Sequence, residues 1–325
     1  MNVLLTGASG FVGSHILDCL MERGIATRVL LRQSSSDEFI AGHLASVQRS
    51  EGSIGKPDTL RAAIQGATHV IHCAGLVKAL TLREFHEVNQ IGTRNLIDAA
   101  NACGIDRFIH VSSLAAAGPG TADAPAHEAD EPHPVSEYGR SKLAGELEVA
   151  NRCQPAFVII RPPAVYGPRD REFLRLFRAV RSGFLPDVGC GRQALSLVFV
   201  EDLARVIVDC LEHPAAAGKV FFAANPEVKT AREFGSLVAR ELQKRPWHVP
   251  IPVPLLWPVC WGQQLVSQLT GKANVLSGQK YAELRAPGWV CEASRLKTEL
   301  GLECPTTLAE GVHRTARAYQ ADGWL

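Results

Sequence analysis

The first fourteen residues, MNVLLTGASGFVGS, constrain this chain more than any other stretch. An apolar run at 2–5 reaches Thr6, glycines follow at Gly7, Gly10 and Gly13, and residues 14–23 carry apolar side chains at helical spacing. This pattern is that of a buried strand, a tight turn and a helix whose first N–H groups point at an anion. Gly7 permits the turn, Gly10 lets the backbone close on a pyrophosphate, and Gly13 lets helix and strand pack tightly. Ser9, Phe11 and Val12 complete the expected dinucleotide loop. Three glycines alone are a weak signal. Their place at the end of an apolar strand, with a βαβ pattern behind them, makes the signal specific.

The rest of the first half repeats the strand–helix rhythm. Residues 26–31 form a second apolar strand ending at Arg32, followed by Gln33 and three serines. An NAD enzyme usually places an acid there for the ribose hydroxyls. Leu31 and Arg32 occupy that place here, and Arg32 with Ser34 and Ser35 suits a ribose 2′-phosphate, so NADP(H) is the expected cofactor and NAD(H) the alternative. Residues 39–56 carry no assignable pattern, and 57–65 are helical. The strand at 69–73 ends on Cys73, Ala74 and Gly75, small enough for a dinucleotide to lie across them. A long helix at 82–103 carries Asn89, and the strand at 107–113 closes on Ser112 and Ser113. A loop at 114–135 precedes a helix at 136–150 bearing Tyr138 and Lys142 one turn apart. The strand at 157–161 runs into PPAVYGPRD, which contains Pro162, Ala164 and Val165.

Alternating strands and helices predict an α/β fold, a Rossmann-type doubly wound, mainly parallel sheet with a small C-terminal substrate lobe. A length of 325 residues suits a dinucleotide-binding core at 1–168 and a mixed region at 169–325 that completes the sheet and forms the lobe. In that second part, helices are expected at 172–182, 201–212 and 230–242, and strands at 195–200 and 218–223.

Composition narrows the function. A net charge of +1, with no basic cluster interleaved with aromatics, gives no support to nucleic-acid binding. Nine cysteines without a close pair suit neither a zinc site nor a disulfide framework, and with no room for a signal peptide they point to the cytoplasm. The stretch 249–269, VPIPVPLLWPVCWGQQLVSQL, is too broken by proline to span a membrane and reads as a turn feeding a short helix, a membrane-surface contact being the alternative.

Tyr138, Lys142 and the Ser112–Ser113 pair carry the chemistry. A phenol titrates near pH 10, too high for acid/base work at neutrality. A lysine ammonium one turn away lowers that value, and a serine hydroxyl holds the reacting oxygen, a set that suits reversible hydride transfer between a carbinol and a nicotinamide.

TGASGFVG at 6–13 and YGRSK at 138–142 resemble the fingerprints of the extended short-chain dehydrogenase/reductases, a superfamily that includes nucleotide-sugar epimerases and dehydratases, dihydroflavonol reductases and 3β-hydroxysteroid dehydrogenases. The resemblance implies that Ser113, Tyr138 and Lys142 are catalytic. It implies that Asn89, in VNQIGTRNL, supports the active-site helix, and that residues around Val165 hold the nicotinamide carboxamide. It also implies a homodimer through a four-helix interface formed by 82–103 and 136–150. Two departures stand out. Glu51-Gly52-Ser53-Ile54 replaces the family's Gly-Asp-Leu, which leaves Ser53 and Ile54 at the adenine. Leu195 replaces an arginine common in nucleotide-sugar enzymes, with Arg169, Arg171, Arg175 and Arg192 as candidate substitutes. A missing cation, together with the apolar residues Trp247, Leu255, Leu256, Trp257 and Trp261, favours an NADP(H)-dependent reductase or dehydrogenase acting on an apolar or weakly polar small molecule. The alternative is a nucleotide-sugar epimerase or dehydratase that retains its dinucleotide, with Glu137 and His127 as candidate extra acid/base groups.

Overall fold

The structure is a computed structural model that describes residues 1–258, 262 and 278–325. Strands β1 (Asn2–Thr6), β2 (Ala26–Leu31), β3 (Gln48–Glu51), β4 (His69–His72), β5 (Arg107–Val111) and β6 (Ala156–Arg161) share one sheet with a seventh strand at Lys219–Phe222. From one edge the order is Lys219–Phe222, β6, β5, β4, β1, β2, β3, and every neighbouring pair is parallel. The order reverses between β1 and β4. In open α/β sheets the ligand crevice lies outside the strand ends at that reversal.

Helices α1 (Phe11–Glu22), α2 (Pro57–Ile64), α3 (Leu82–His86), α4 (Gly92–Cys103), α5 (Leu114–Ala117), α6 (Glu137–Arg152), α7 (Phe173–Arg181), α8 (Val200–Asp209) and α9 (Ala231–Glu241) follow in chain order. Two of these helix groups cover the sheet. Val3 and Leu5 of β1 pack with Ile16, Leu17 and Leu20 of α1 and with Leu203, Val206 and Ile207 of α8. Leu4 points the other way, among Leu60 and Ile64 of α2 and Leu96 and Ile97 of α4. Burial on both faces explains why β1 is apolar without alternation. β3, by contrast, reads QRSE and is mostly exposed at the sheet edge, so it gives no hydrophobic signal; this is the strand hidden in the patternless stretch 39–56.

A third core joins Phe177 of α7 and Phe234 and Val238 of α9 to Leu308, Val312 and Tyr319 of the terminal helix Leu308–Ala321. The strand expected at 195–200 is divided. Ala194–Leu195 pairs with Lys229–Thr230 and Gly288–Trp289, whereas Leu197–Phe199 pairs with Ala164–Tyr166. The loop expected at 114–135 opens with the short α5 and is tied down where Ala126 bridges Cys291 and where the Glu128 carboxylate accepts from the Phe222 N–H. Of the stretch 249–269, 253–258 is helical, while 259–261, including Trp261, and 263–269 lie outside the described residues. Among the described residues no helix is long and apolar enough to cross a membrane.

Candidate active site

The glycine loop is shaped by contacts that exclude side chains. Gly7 has φ +78°, and a Cβ there would stand 2.6 Å from the Ala74 nitrogen. A Cβ at Gly13 would stand 2.0 Å from the Gly7 carbonyl oxygen. The loop is thus pressed between α1 and the end of β4, and the Ala74 N–H donates to Thr6 Oγ1 at 3.2 Å. Gly10 is the N-cap of α1, which has no side-chain cap and no acid in its first turn. That arrangement leaves its first N–H groups and its dipole available to a pyrophosphate, so the cradle fits a dinucleotide.

Beyond the loop, the other predicted cofactor residues sit on strand ends and their turns. Arg32 is exposed at the end of β2, and its backbone N–H donates to Ser35 Oγ at 3.0 Å. Ser53 is bound up in its own turn, its hydroxyl accepting from the Gly55 N–H at 3.3 Å. Asn95 Nδ2 donates to the Ile54 carbonyl at 2.9 Å, a tie between α4 and the adenine-side turn that the sequence did not disclose. The Pro162 carbonyl accepts from the Leu114 N–H at 2.8 Å, which sets the segment carrying Ala164 and Val165 beside the end of β5. The same segment is held to α1, where the Pro168 carbonyl meets His15 Nε2 at 2.9 Å and Arg169 pairs with Asp18 at 2.7 Å.

The residues predicted to react converge from β5 and α6. Ser113 caps α5, its Oγ accepting from the Ala115 N–H at 3.1 Å, which leaves its proton to donate outward. Its hydroxyl acts on the Tyr138 phenol. Burial pushes the Tyr138 phenol up to about 12, and the Ser113 hydrogen bond pulls against that rise. Lys142, one turn along α6, is buried and donates from Nζ to the Val111 carbonyl at 2.7 Å. Burial brings its ammonium down to about 8. The groups acting on the phenol are Ser113, Glu283 and Cys73, whereas Lys142 is held on the β5 backbone. Gly139 allows this seating, because a Cβ there would lie 2.3 Å from the Ala115 carbonyl oxygen.

Asn89 lies in a wide helical turn, Glu87–Ile91, between α3 and α4. Its Nδ2 donates to the Leu76 carbonyl and to Ser141 Oγ, both at 2.9 Å, and its Oδ1 accepts from the Leu76 N–H at 2.7 Å. One amide therefore fastens the chain after Gly75 to α6. Single wide turns of this kind are frequent at functional sites.

Sequence reasoning missed a buried ionic knot beneath the site. Glu146 accepts from Arg161 Nε at 2.9 Å and Nη2 at 2.6 Å, and from the Ser112 hydroxyl. All three residues are buried, and they join the ends of β5 and β6 to α6. The signal was an acid one turn after Lys142 and an arginine closing an apolar strand. Beside the knot are two buried histidines. His72 bridges Thr6 and Thr93 at 2.8 and 2.9 Å and is pushed by burial down to about 3; His110, 5.3 Å away ring to ring, is driven well below its ordinary value by the same cause.

Three of the four candidate phosphate-binding arginines have other partners. Arg169 is on Asp18, Arg171 on Glu38 at 2.7 Å and Arg175 near Glu172 at 3.7 Å, while Arg192 is exposed.

Fold and site together define an oxidoreductase that works with a nicotinamide dinucleotide on a small molecule. The model of the NAD dependent epimerase/dehydratase family matches residues 3–224, and the chain belongs to that family. It is 33% identical to a ceramide reductase from Caulobacter vibrioides, over 99% of this chain and 96% of that protein. It is 31% identical to a UDP-glucose 4-epimerase from Vibrio cholerae, over 98% and 95% of the two chains. The solved UDP-glucose 4-epimerase of Thermus thermophilus, a complex with NAD, superposes with a TM-score of 0.79 at 23% identity over 98% and 99% of the two chains.

These solved structures correct the expected cofactor. The Thermus chain and others of the same fold are complexes with NAD, so NAD(H) rather than NADP(H) is the better-supported dinucleotide. The physical reason lies at the end of β2. A single exposed arginine, next to a serine already engaged with its backbone, is not by itself a built 2′-phosphate site.

Proposed function

We propose that this protein is an NAD-retaining epimerase or dehydratase acting on a nucleotide-sugar-type substrate. The observation that carries the chemistry is the convergence of Ser113, Tyr138 and Lys142 at the strand ends beside the glycine cradle. The substrate class is supported by the 31% identity to a UDP-glucose 4-epimerase across nearly the full chain. Bound NAD would supply the hydride acceptor and donor, held by Gly7, Ser9, Gly10, Phe11, Val12 and Gly13 at the pyrophosphate, and by Cys73, Ala74, Gly75, Pro162, Ala164 and Val165 along its length. Ser53 and Ile54 lie toward the adenine in this reading.

Tyr138 takes or returns the proton of the substrate oxygen. Ser113, whose oxygen is already capping α5, donates its own proton to that same oxygen. Lys142, fastened to the Val111 carbonyl, keeps its charge at neutral pH and orients the nicotinamide ribose in this reading, while the phenol is acted on by Ser113. Asn89 keeps α6 in register with the turn after β4. Residues 1–168 serve the cofactor and 169–325 the substrate. Paired subunits would meet on the α4 and α6 side, where Ile91 and Leu147 are exposed.

A second reading, reduction of an apolar carbonyl compound, is favoured by Leu195, by the ion pairs that occupy the nearby arginines, and by the 33% identity to a ceramide reductase. One experiment separates the two: UDP- and dTDP-sugars or long-chain ketones are supplied with catalytic NAD or with stoichiometric NADH. Epimerised or dehydrated sugar formed with catalytic NAD alone supports the first reading. Net NADH oxidation by the ketones, with every sugar unchanged, sinks it in favour of the second.

A further inference from the structure

The C-terminal half carries an outer two-stranded parallel ribbon, Phe184–Val188 against Trp247–Ile251. On the first strand burial alternates: Leu185 and Asp187 point inward, whereas Phe184 and Pro186 are exposed. Trp247 pairs with Phe184 and Val249 with Pro186, so four apolar side chains share one face. Trp247 is 80% exposed and Phe184 55%. Nothing on the second strand alternates, since Trp247 to Pro250 are all exposed. The helical turn that follows adds Leu255 and Trp257, at 64% and 57% exposure. Exposed aromatic and aliphatic side chains gathered on one ribbon face are unusual on a monomeric protein and mark a partner.

Proline and charge together identify that partner. Pro250 interrupts the row of N–H donors on the outer strand, which disfavours addition of a further strand at the edge and leaves the face itself as the contact. Arg181, Lys244 and Arg245 flank the aromatic residues, all exposed and none with an acid partner among the described residues. The nearby acids are engaged, Asp187 with Arg232 at 2.8 Å and Glu241 with His313 at 2.9 Å. Three exposed cations without an acid partner among the described residues thus stand next to the aromatic residues, although the chain as a whole is nearly neutral. Tryptophan beside lysine and arginine, around a shallow aliphatic surface, is the composition that settles at the headgroup level of a bilayer.

We propose that this face docks the protein peripherally on an anionic lipid bilayer. The contact is interfacial and reversible: the aromatics enter the headgroup region and the cations meet lipid phosphates. It is independent of which substrate the active site takes.

The test is co-sedimentation with vesicles of phosphatidylcholine alone or mixed with phosphatidylglycerol, at low and high salt. The proposal expects binding to the mixed vesicles, weakening with salt, and quenching of tryptophan fluorescence by brominated lipid. Lys244→Gln with Arg245→Gln should lower the partition coefficient roughly thirtyfold, the loss expected when two basic residues near an anionic surface are neutralised. Phe184→Ser with Trp247→Ser should also weaken binding while leaving the NAD-dependent thermal shift unchanged. Failure to sediment with either vesicle, or equal binding to both with no loss in either variant, would overturn the proposal. So would a wild-type dimer in sedimentation velocity that Trp247→Ser converts to monomer, because the face would then be a contact between copies.

Discussion

The floor of the cleft and the outer ribbon use similar apolar residues to opposite ends. At the floor, β5, β6 and α6 bury their polar groups against one another: Glu146 holds Arg161 and Ser112, Lys142 holds the Val111 carbonyl, and His72 bridges two threonines. On the ribbon, Trp247 and Phe184 face outward with little to cover them. Desolvation accounts for the contrast. A buried charge must find its partner or the chain loses stability, so Glu146, Arg161 and Ser112 constrain one another. An exposed apolar side chain meets no such demand and can be retained for contact with something outside the chain.

The contrast can be tested, beginning with the largest expected effect. Tyr138→Phe removes the proposed acid/base hydroxyl while keeping the ring against Phe85, so turnover should fall about 10²–10⁴-fold with NAD affinity intact. Near-normal turnover in that variant would mean that another residue moves the proton.

Next in size is Arg161→Met, which leaves Glu146 buried without its cation. Urea denaturation should show a loss of about 3–5 kcal/mol, and adding Glu146→Leu should restore much of it. A loss confined to a few tenths would mean that the floor is more hydrated than its burial indicates.

The buried imidazoles predict a pH dependence. His72, with a folded value near 3 against 6.5 unfolded, takes up its proton more readily in the unfolded chain between those limits. Stability should therefore drop as pH falls from 6.5 toward 3, by about 1.4 kcal/mol per pH unit for one such group. His72→Gln should flatten that limb, and equal slopes in the two proteins would remove His72 as its source.

The smallest effect belongs to the ribbon. Trp247→Ser should change stability by no more than about 0.5 kcal/mol, because little packing is lost at an exposed site. A loss comparable to that at Arg161 would show that the ribbon is covered in solution.

Much of the fold was legible because its signals are local. Buried parallel strands are apolar throughout, and the glycines at 7 and 13 are demanded by backbone contacts that no other residue satisfies. β3 was not legible, since an exposed edge strand has no apolar pattern to show. Tyr138 and Lys142 could be paired from spacing, and Ser113 was picked out only through the family resemblance, but the engagement of Lys142 with Val111, the wide turn that aims Asn89, and the occupied arginines could not be read.

What the sequence determined by itself is therefore the buried strands of the sheet, the glycine loop and the residues brought to its edge, each set by short-range periodicity and steric need. Only the tertiary structure decided which charges pair, which hydroxyl is free to donate and which apolar strand stays uncovered. Those outcomes depend on burial, and burial is settled by elements far apart in the chain: Glu146 against Arg161, Ser136 against Glu283, and Phe184 beside Trp247.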